Sequence, residues 1–410
     1  MRIAIVTTHP PGQGSLNEYA FHFIRHLRTK LEVDELILLA DELPEGQSYD
    51  FSNKTDLPLN AHGVTRATLA PVTVLPCWRF GAWNNPLRIL NAVRQTKPDV
   101  VLFNLQFATF SNRKVPAALG LLTPALIKAI GVPTVVLLHN IIETINLQQS
   151  GFKTSPIMER LIRFSGNIIT RFLLQADLLA LTIPKYVEIL SAKYKAKNLL
   201  LAPHGAFDEL DEPDDLDTSI VSTQVMTFGK FGTYKRVETL IEAFKLLQGN
   251  GHKSLELVIA GSDSPNATGY LAEIQRRFHK VHNMRFTGYV PESDVPKIFN
   301  EAAVVVFPYT ATTGSSGVLH QAGSYGKAVI LPNLGDFAEL ITEEGYTGEF
   351  FEPDDPRSLS EAIKRVVDDP QRRRQIGMQN YAASRGIHIS EIVDWYLLHI
   401  ETLLKTGANQ

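Results

Sequence analysis

FPYTATTGSSGVLHQAGSYGKAVILP, residues 307–332, is the stretch whose reading decides the fold. Residues 303–309 form an apolar, Val-rich run of the kind buried in a parallel sheet. The chain then turns through Thr312, Thr313, Gly314, Ser315, Ser316 and Gly317. Val318, Leu319 and Ala322 recur at helical spacing, and residues 328–331 read as the next strand. A Gly/Ser/Thr loop at a helix start presents unpaired backbone N–H groups, hydroxyls and the positive end of the helix dipole. Together these suit a phosphate. A Ser/Gly helix start alone is more often only a cap, so the weight falls on what lies upstream.

Upstream is VMTFGKFGTYKRVETLIEAF, residues 225–244. A strand ends at Phe228–Gly229, Lys230 and Lys235 flank a short glycine-containing loop, and a helix starts near Val237. Lysines leaving the carboxyl end of a strand point toward the crevice where open α/β sheets bind ligands. Either lysine alone reads as a solvated surface cation. With the 312–317 loop they read as a diphosphate site.

The rest of the chain repeats this alternation. Strands are expected at 3–8, 36–40, 72–75, 100–105, 134–139, 178–183 and 199–202, then at 225–228, 255–260, 285–287, 304–307 and 329–331, with helical patterns between them. A chain of 410 residues with 44% apolar residues is long for one core and usual for two. The acidic run DELDEPDDLD at 208–217 lacks apolar periodicity and reads as a linker. It places a boundary at 206–221, with a first domain over 1–205 and a second over 222–388. Residues 389–404 form an amphipathic helix.

Two features of the first half invite a ligand. Gly12-Gln13-Gly14 follows the first strand, and Asp41 ends the second, which approaches a dinucleotide fingerprint. Asn17 stands at the third glycine position and Pro10-Pro11 lengthens the turn, so NAD binding is not the favoured reading. His139 ends an apolar strand, where it is either a satisfied structural residue or a group facing a cleft, able to hydrogen-bond a sugar hydroxyl.

Cys77 is the only cysteine, which excludes an internal disulfide and a multi-cysteine zinc site. Asp215 and Asp217 have the spacing of a cation-binding Asp-X-Asp, but lie in the acidic run where such spacing arises by chance; no metal role is assigned. Residues 1–205 carry 21 Lys and Arg against 14 Asp and Glu, while 206–410 carry 19 against 29. The basic half suits an anionic membrane surface or a phosphate-bearing acceptor, or is plain solvated surface. Trp78, Arg79, Phe80 and Trp83, and the aromatic and basic residues of 152–172, suit sugar stacking, a bilayer interface or a core. With no leader and no apolar run of about 20 residues, a cytoplasmic location is expected, possible membrane association being confined to the cytoplasmic face.

Five blocks, in order, resemble the retaining glycosyltransferases of family 4. They are 2–14, the strand ending in His139, Gly229-Lys230…Lys235, FTGYVPESDVPKIF at 286–299, and 307–352. The resemblance implies an α/β protein of GT-B architecture, two Rossmann-like domains facing each other across a cleft, with the terminal helix 389–410 returning to the first domain. It implies that Lys230 and Lys235 neutralise the donor diphosphate and that the main chain at Tyr289 and Val290 holds the nucleobase. It places Thr313, Gly314, Ser315, Ser316, Gly317 and Val318 on the sugar and β-phosphate. Gly12 and Gly14 would close over the donor, and His139 would line the cleft.

One departure stands out. The family's two glutamates across this loop and helix are replaced by Thr313 and Gln321. A Gln321 carbonyl would still meet the ribose hydroxyls, and Gln321→Glu is expected to bind nucleotide at least as well. The function implied is transfer of a hexose from a nucleotide diphosphate sugar, expected to be a UDP-sugar, to a glycan or lipid-linked acceptor, as in polysaccharide biosynthesis. No metal, no other cofactor and no nucleic acid take part. A nucleotide-sugar epimerase of the same architecture and a non-catalytic partner subunit are the competing readings.

Overall fold

The computed structural model describes residues 1–12, 16–51, 68–143, 156–207, 223–264, 267–311 and 316–407. Among them, seven strands form a first sheet: β1 (Arg2–Val6), β2 (Glu35–Asp41), β3 (Val72–Trp78), β4 (Val100–Leu105), β5 (Thr134–Leu138), β6 (Leu178–Leu181) and β7 (Leu199–Leu201). Six form a second: β8 (Gln224–Phe231), β9 (Glu256–Asp263), β10 (Met284–Gly288), β11 (Ala302–Val306), β12 (Ala328–Pro332) and β13 (Glu349–Phe351). The orders are β3-β2-β1-β4-β5-β6-β7 and β10-β9-β8-β11-β12-β13.

Every pairing in both sheets is parallel. The sequences explain this. β5 (TVVLL) and β11 (AAVVV) are buried at every residue, so both faces must be covered by helices, the condition under which parallel sheets are stable. The order reverses between β1 and β4 in one sheet and between β8 and β11 in the other. At such a switch point the loops leaving the strands' carboxyl ends splay apart and open a crevice. β8 does not end at Phe228–Gly229 as expected but runs through Lys230, paired opposite Ser262, to Phe231, and the segments after β8 and β11 leave the second sheet there; Gly12 follows β1 at the switch point of the first.

In the apolar run 303–309, the strand expected at 304–307 ends at Val306. Pro308 has no N–H to give the ladder. Tyr309 instead forms an isolated antiparallel bridge with Lys235, which ties the two switch-point loops together.

The last helix, Ile389–Gly407, buries Ile389, Ile392, Val393, Tyr396, Leu397 and Ile400, a stripe at helical spacing, in the same core as Ile3, Ile5, Phe23 and Leu102 of the first half. It therefore packs on the first sheet, beside the helix Asn17–Leu27. To reach it, the chain passes beside Ala206: Ala206 N–H donates to Ile387 O and Ile389 N–H to Ala206 O, both at 2.9 Å. The residues entering the 208–217 run and those returning to the first sheet thus lie side by side. Residues 208–222 lie outside the described residues.

Gly261 illustrates how tightly β8 and β9 are fitted beneath the site. Its φ is +135°, and an added Cβ would fall 1.9 Å from the carbonyl oxygen of Gly229. Gly261→Ala should cost at least ~2 kcal/mol of unfolding free energy in urea titrations, from strain and the clash together. An unchanged midpoint would show that the Gly229–Lys230 end of β8 is not held by β9.

Candidate active site between the two sheets

The two lysines reach the crevice from one turn. Gly229, at φ +135°, leaves open the space where its own Cβ would lie 3.0 Å from the Lys235 ammonium nitrogen. Lys235 Nζ sits 4.9 Å from the centre of the Tyr309 ring, a cation–π contact. Burial pushes the Lys230 ammonium below its usual range, the Glu18 carboxylate pulls it back up, and Lys235 lowers it further. A half-desolvated cation pair of this kind favours an incoming anion. Beside it, Ser316 stands at the N-cap of the helix Gly317–Ser324 with no side-chain capping bond, and Val318 and Gln321 are buried in that helix.

Between the halves lies a group of stacked imidazoles and aromatic rings, Tyr19, His22, His139, His204 and Phe207 from the first half and His320 from the helix Gly317–Ser324 of the second. His204 lies parallel to His320 with ring centres 5.2 Å apart, and the edge of Tyr19 meets both His139 at 4.9 Å and His204 at 5.0 Å. His22 stacks on Phe207 at 4.4 Å. Gly317 is required here, because a Cβ on it would approach His204 Cε1 to 3.2 Å. Burial lowers His139 to about 3 and His204 to about 4, and drives His320 well down. All three rings are therefore neutral at pH 7.

The His139 tautomer follows from its neighbours. Thr7 Oγ1 donates to Thr8 O, so it accepts from Asn104 Nδ2 at 3.1 Å, which turns Asn104 Oδ1 toward His139. His139 Nε2–H donates to that oxygen at 2.7 Å. Nδ1 is left as a hydrogen-bond acceptor.

One contact joins the halves directly. Gln321 Nε2 donates to Glu18 Oε1 at 2.6 Å, across 303 residues of sequence. A carboxylate only accepts, so the amide orientation is fixed by chemistry. Gln321 Oε1 is left buried with no hydrogen-bond partner among the described residues. A buried acceptor without a partner is costly, and a hydroxyl-bearing ligand would relieve it.

The structure thus brings Lys230, Lys235, Ser316, Gly317, Val318 and Gln321 to the carboxyl ends of β8 and β11, with His139 opposite. Gly12 follows β1, where its N–H donates to His9 O at 3.0 Å and a Cβ would meet that same oxygen at 2.9 Å. Tyr289 and Val290 follow β10 at the same end of the second sheet, Tyr289 being 71% exposed and Val290 packed on the core. Gly14, Thr313, Gly314 and Ser315 lie outside the described residues, as do Asp215 and Asp217. Trp78 is wholly buried and donates its indole N–H to Leu39 O, so it is a core residue and stacks on no ligand. Glu18, Tyr19, His204 and His320 were not anticipated. His204 leaves the end of β7, the same strand-end signal that pointed to His139.

Residues 222–369 match the family model described as glycosyl transferases group 1. The chain carries a group 1 glycosyltransferase domain. Over 220 residues it is 26% identical to a D-inositol 3-phosphate glycosyltransferase of Corynebacterium diphtheriae, covering 50% of this chain and 51% of that protein. The chain thus spans about half the length of that curated relative. The whole chain superimposes on sucrose-phosphate synthase from Thermosynechococcus elongatus, with a TM-score of 0.74 at 14% identity, covering 99% of this chain and 100% of the other. It also superimposes on Anabaena Alr3699/HepE in complex with UDP-glucose, with a TM-score of 0.67 at 17% identity and coverages of 99% and 100%. The fold is GT-B, as the resemblance in the sequence implied.

Glu18 changes what is expected at position 321. Gln321→Glu would set one carboxylate against another, so the protein should lose roughly 1–3 kcal/mol of stability at neutral pH rather than gain nucleotide affinity. The exchanged pair, Glu18→Gln with Gln321→Glu, should recover it. Thermal melts of the parent, Gln321→Glu and the exchanged pair check this; a Gln321→Glu variant as stable as the parent would show that the contact is not formed in solution.

The buried imidazoles set a pH dependence. Their folded values lie below the ordinary 6.5, so their contribution to stability is complete above about 6.5 and is lost as pH falls toward about 4. Unfolding free energy should drop by at least ~1 kcal/mol between pH 7 and pH 5, measured by urea titration at the two values. His204→Asn should flatten that slope.

Proposed function

We propose that the protein is a retaining glycosyltransferase that moves a hexose from a UDP-sugar to a glycan or lipid-linked acceptor without a metal ion. The observation that carries this reading is the pairing, at one switch point, of two half-buried lysines with a serine- and glycine-led helix start. That arrangement is suited to the charge that grows on a departing diphosphate. The Anabaena neighbour, which shares this fold and is in complex with UDP-glucose, supports a nucleotide-sugar donor.

In this reading Lys230 and Lys235 take the diphosphate, while Gly317 and the residues 312–316 before it take the β-phosphate and sugar. Gln321 Oε1 accepts from the ribose hydroxyls, which gives its buried orphan oxygen a partner. The main chain at Tyr289 and Val290 holds the base. The acceptor enters from the first domain, which we assign to 1–205 with 389–410, joined to 222–388 through 206–221. His139 Nδ1 accepts a hydrogen bond from a sugar hydroxyl and, being neutral, adds no charge that would compete for the phosphate.

The anomeric carbon–oxygen bond to the diphosphate breaks while the acceptor hydroxyl bonds to that carbon from the same face. The hydroxyl's proton passes to the leaving phosphate oxygen, so no protein carboxylate is needed as nucleophile or base. Most of the acceleration then comes from holding both sugars in register and offsetting the new charge.

Two measurements test this. Lys235→Ala should lower turnover at least ~100-fold with the melting temperature nearly unchanged; normal turnover in the folded variant would remove the site. Transfer should also persist in excess EDTA. A rate that collapses with chelator and returns with Mg²⁺ or Mn²⁺ would show that an ion supplies the charge here assigned to lysine.

A further inference from the structure

One face of the first sheet is covered by the helices Asn85–Thr96, Lys114–Leu121, Thr123–Ala129 and Pro156–Leu173, each touching at least one of the others. Their inner sides are ordinary core: Ile89, Val93, Leu121, Ile127 and Leu173 are buried with Trp78 and Phe110. Their outer sides are not ordinary surface. On the last helix Phe164, Ile168 and Phe172 are 63%, 37% and 43% exposed and recur every fourth residue, so they form a single stripe. Leu87, Val115 and Leu126 are 62%, 52% and 41% exposed on the other three, and Trp83 just before the first is 60% exposed.

Cations outnumber acids on these segments. Residues 79–130 hold seven Lys and Arg against Asp99 alone, and residues 156–177 hold Arg160, Arg163 and Arg171 against Glu159 and Asp177. Arg79 and Arg88 pair with Glu42 and Lys128 with Asp177, so the excess is centred on Arg113, Lys114 and the arginines of the last helix. The whole chain carries a formal charge of −3, so this face is basic against the trend of the molecule. Arg113, Lys114, Arg160 and Arg171 are exposed beside the exposed apolar side chains.

We infer that this four-helix face docks on an anionic lipid bilayer, with Phe164, Ile168, Phe172 and Trp83 entering the interface and the arginines and lysines meeting lipid phosphates. This deepens the function proposed above, since it would bring a lipid-linked acceptor to the first domain. Apolar side chains interleaved with cations are the composition of an interfacial surface. Aromatic side chains and Arg also serve protein interfaces, so an acidic protein partner is the outcome that the vesicle test must separate.

The test uses the full chain in sedimentation with vesicles of phosphatidylcholine alone or mixed with phosphatidylglycerol, with the melting shift caused by UDP measured in parallel. The protein should pellet with the mixed vesicles only and be released by high salt. Arg113→Gln with Lys114→Gln and Arg160→Gln should weaken vesicle binding roughly 30–100-fold, the loss of three cations near a charged surface. Phe164→Ser with Phe172→Ser should weaken it at least ~10-fold. Arg113→Lys with Arg160→Lys should bind as the parent does. The UDP shift should be the same in all. Failure of the parent to pellet while its UDP shift is intact would overturn the inference and leave the transferase reading standing. So would equal binding to both vesicles, or variants that pellet unchanged, as they would if the face served an acidic protein.

Discussion

The hydrogen bond from Gln321 to Glu18 is the contact on which the site depends, because it is made by the first turn of one domain's helix and the middle of the other's. Each partner is shaped by it. Glu18, itself part-buried, meets an amide instead of water, and also raises the affinity of Lys230 for its proton. The amide, fixed with its nitrogen toward the carboxylate, turns its oxygen into a buried acceptor with no partner among the described residues. The bond from amide to carboxylate, with the His204–His320 stack beside it, holds the halves together and leaves the Gln321 oxygen as a buried acceptor next to the two lysines.

Around that contact the chemistry is sorted by charge. On the second sheet the groups are cationic: two lysines whose mutual repulsion and partial burial make them receptive to phosphate. On the first sheet they are neutral rings. Burial removes the proton from His139 and His204, as it does from His320 on the helix Gly317–Ser324 of the second domain, so the surface opposite the lysines offers hydrogen bonds and packing without charge. A cleft with one cationic wall and one neutral wall fits an anionic donor on one side and an uncharged sugar hydroxyl on the other.

Much of this was legible in the sequence. The strand-and-helix alternation gave both parallel sheets, since fully apolar runs such as those of β5 and β11 have few other uses. Lys230, Lys235 and the 307–332 stretch could be placed because strand ends at a switch point are local features. Glu18, Tyr19, His204 and His320 could not. Their roles arise only when two domains meet, and periodicity reports which face of a helix is buried, not what it is buried against. Position 321 shows the consequence: taken alone, a glutamine there reads as a weakened glutamate, yet opposite Glu18 a glutamate would be repelled. Likewise Trp78, aromatic beside Arg79 and Phe80, resembled a stacking platform until β3 proved to extend through it into the core.

Hydrogen–deuterium exchange with and without UDP tests the central claim most directly, that nucleotide binds where the carboxyl ends of the second sheet face the first. The account predicts slowed exchange at residues 228–236 and 317–322, with slowing at 18–27 as the Glu18 helix is held closed. Protection confined to the loops after β1 and β2, with residues 228–236 unchanged, would contradict it and place the nucleotide on the first sheet instead.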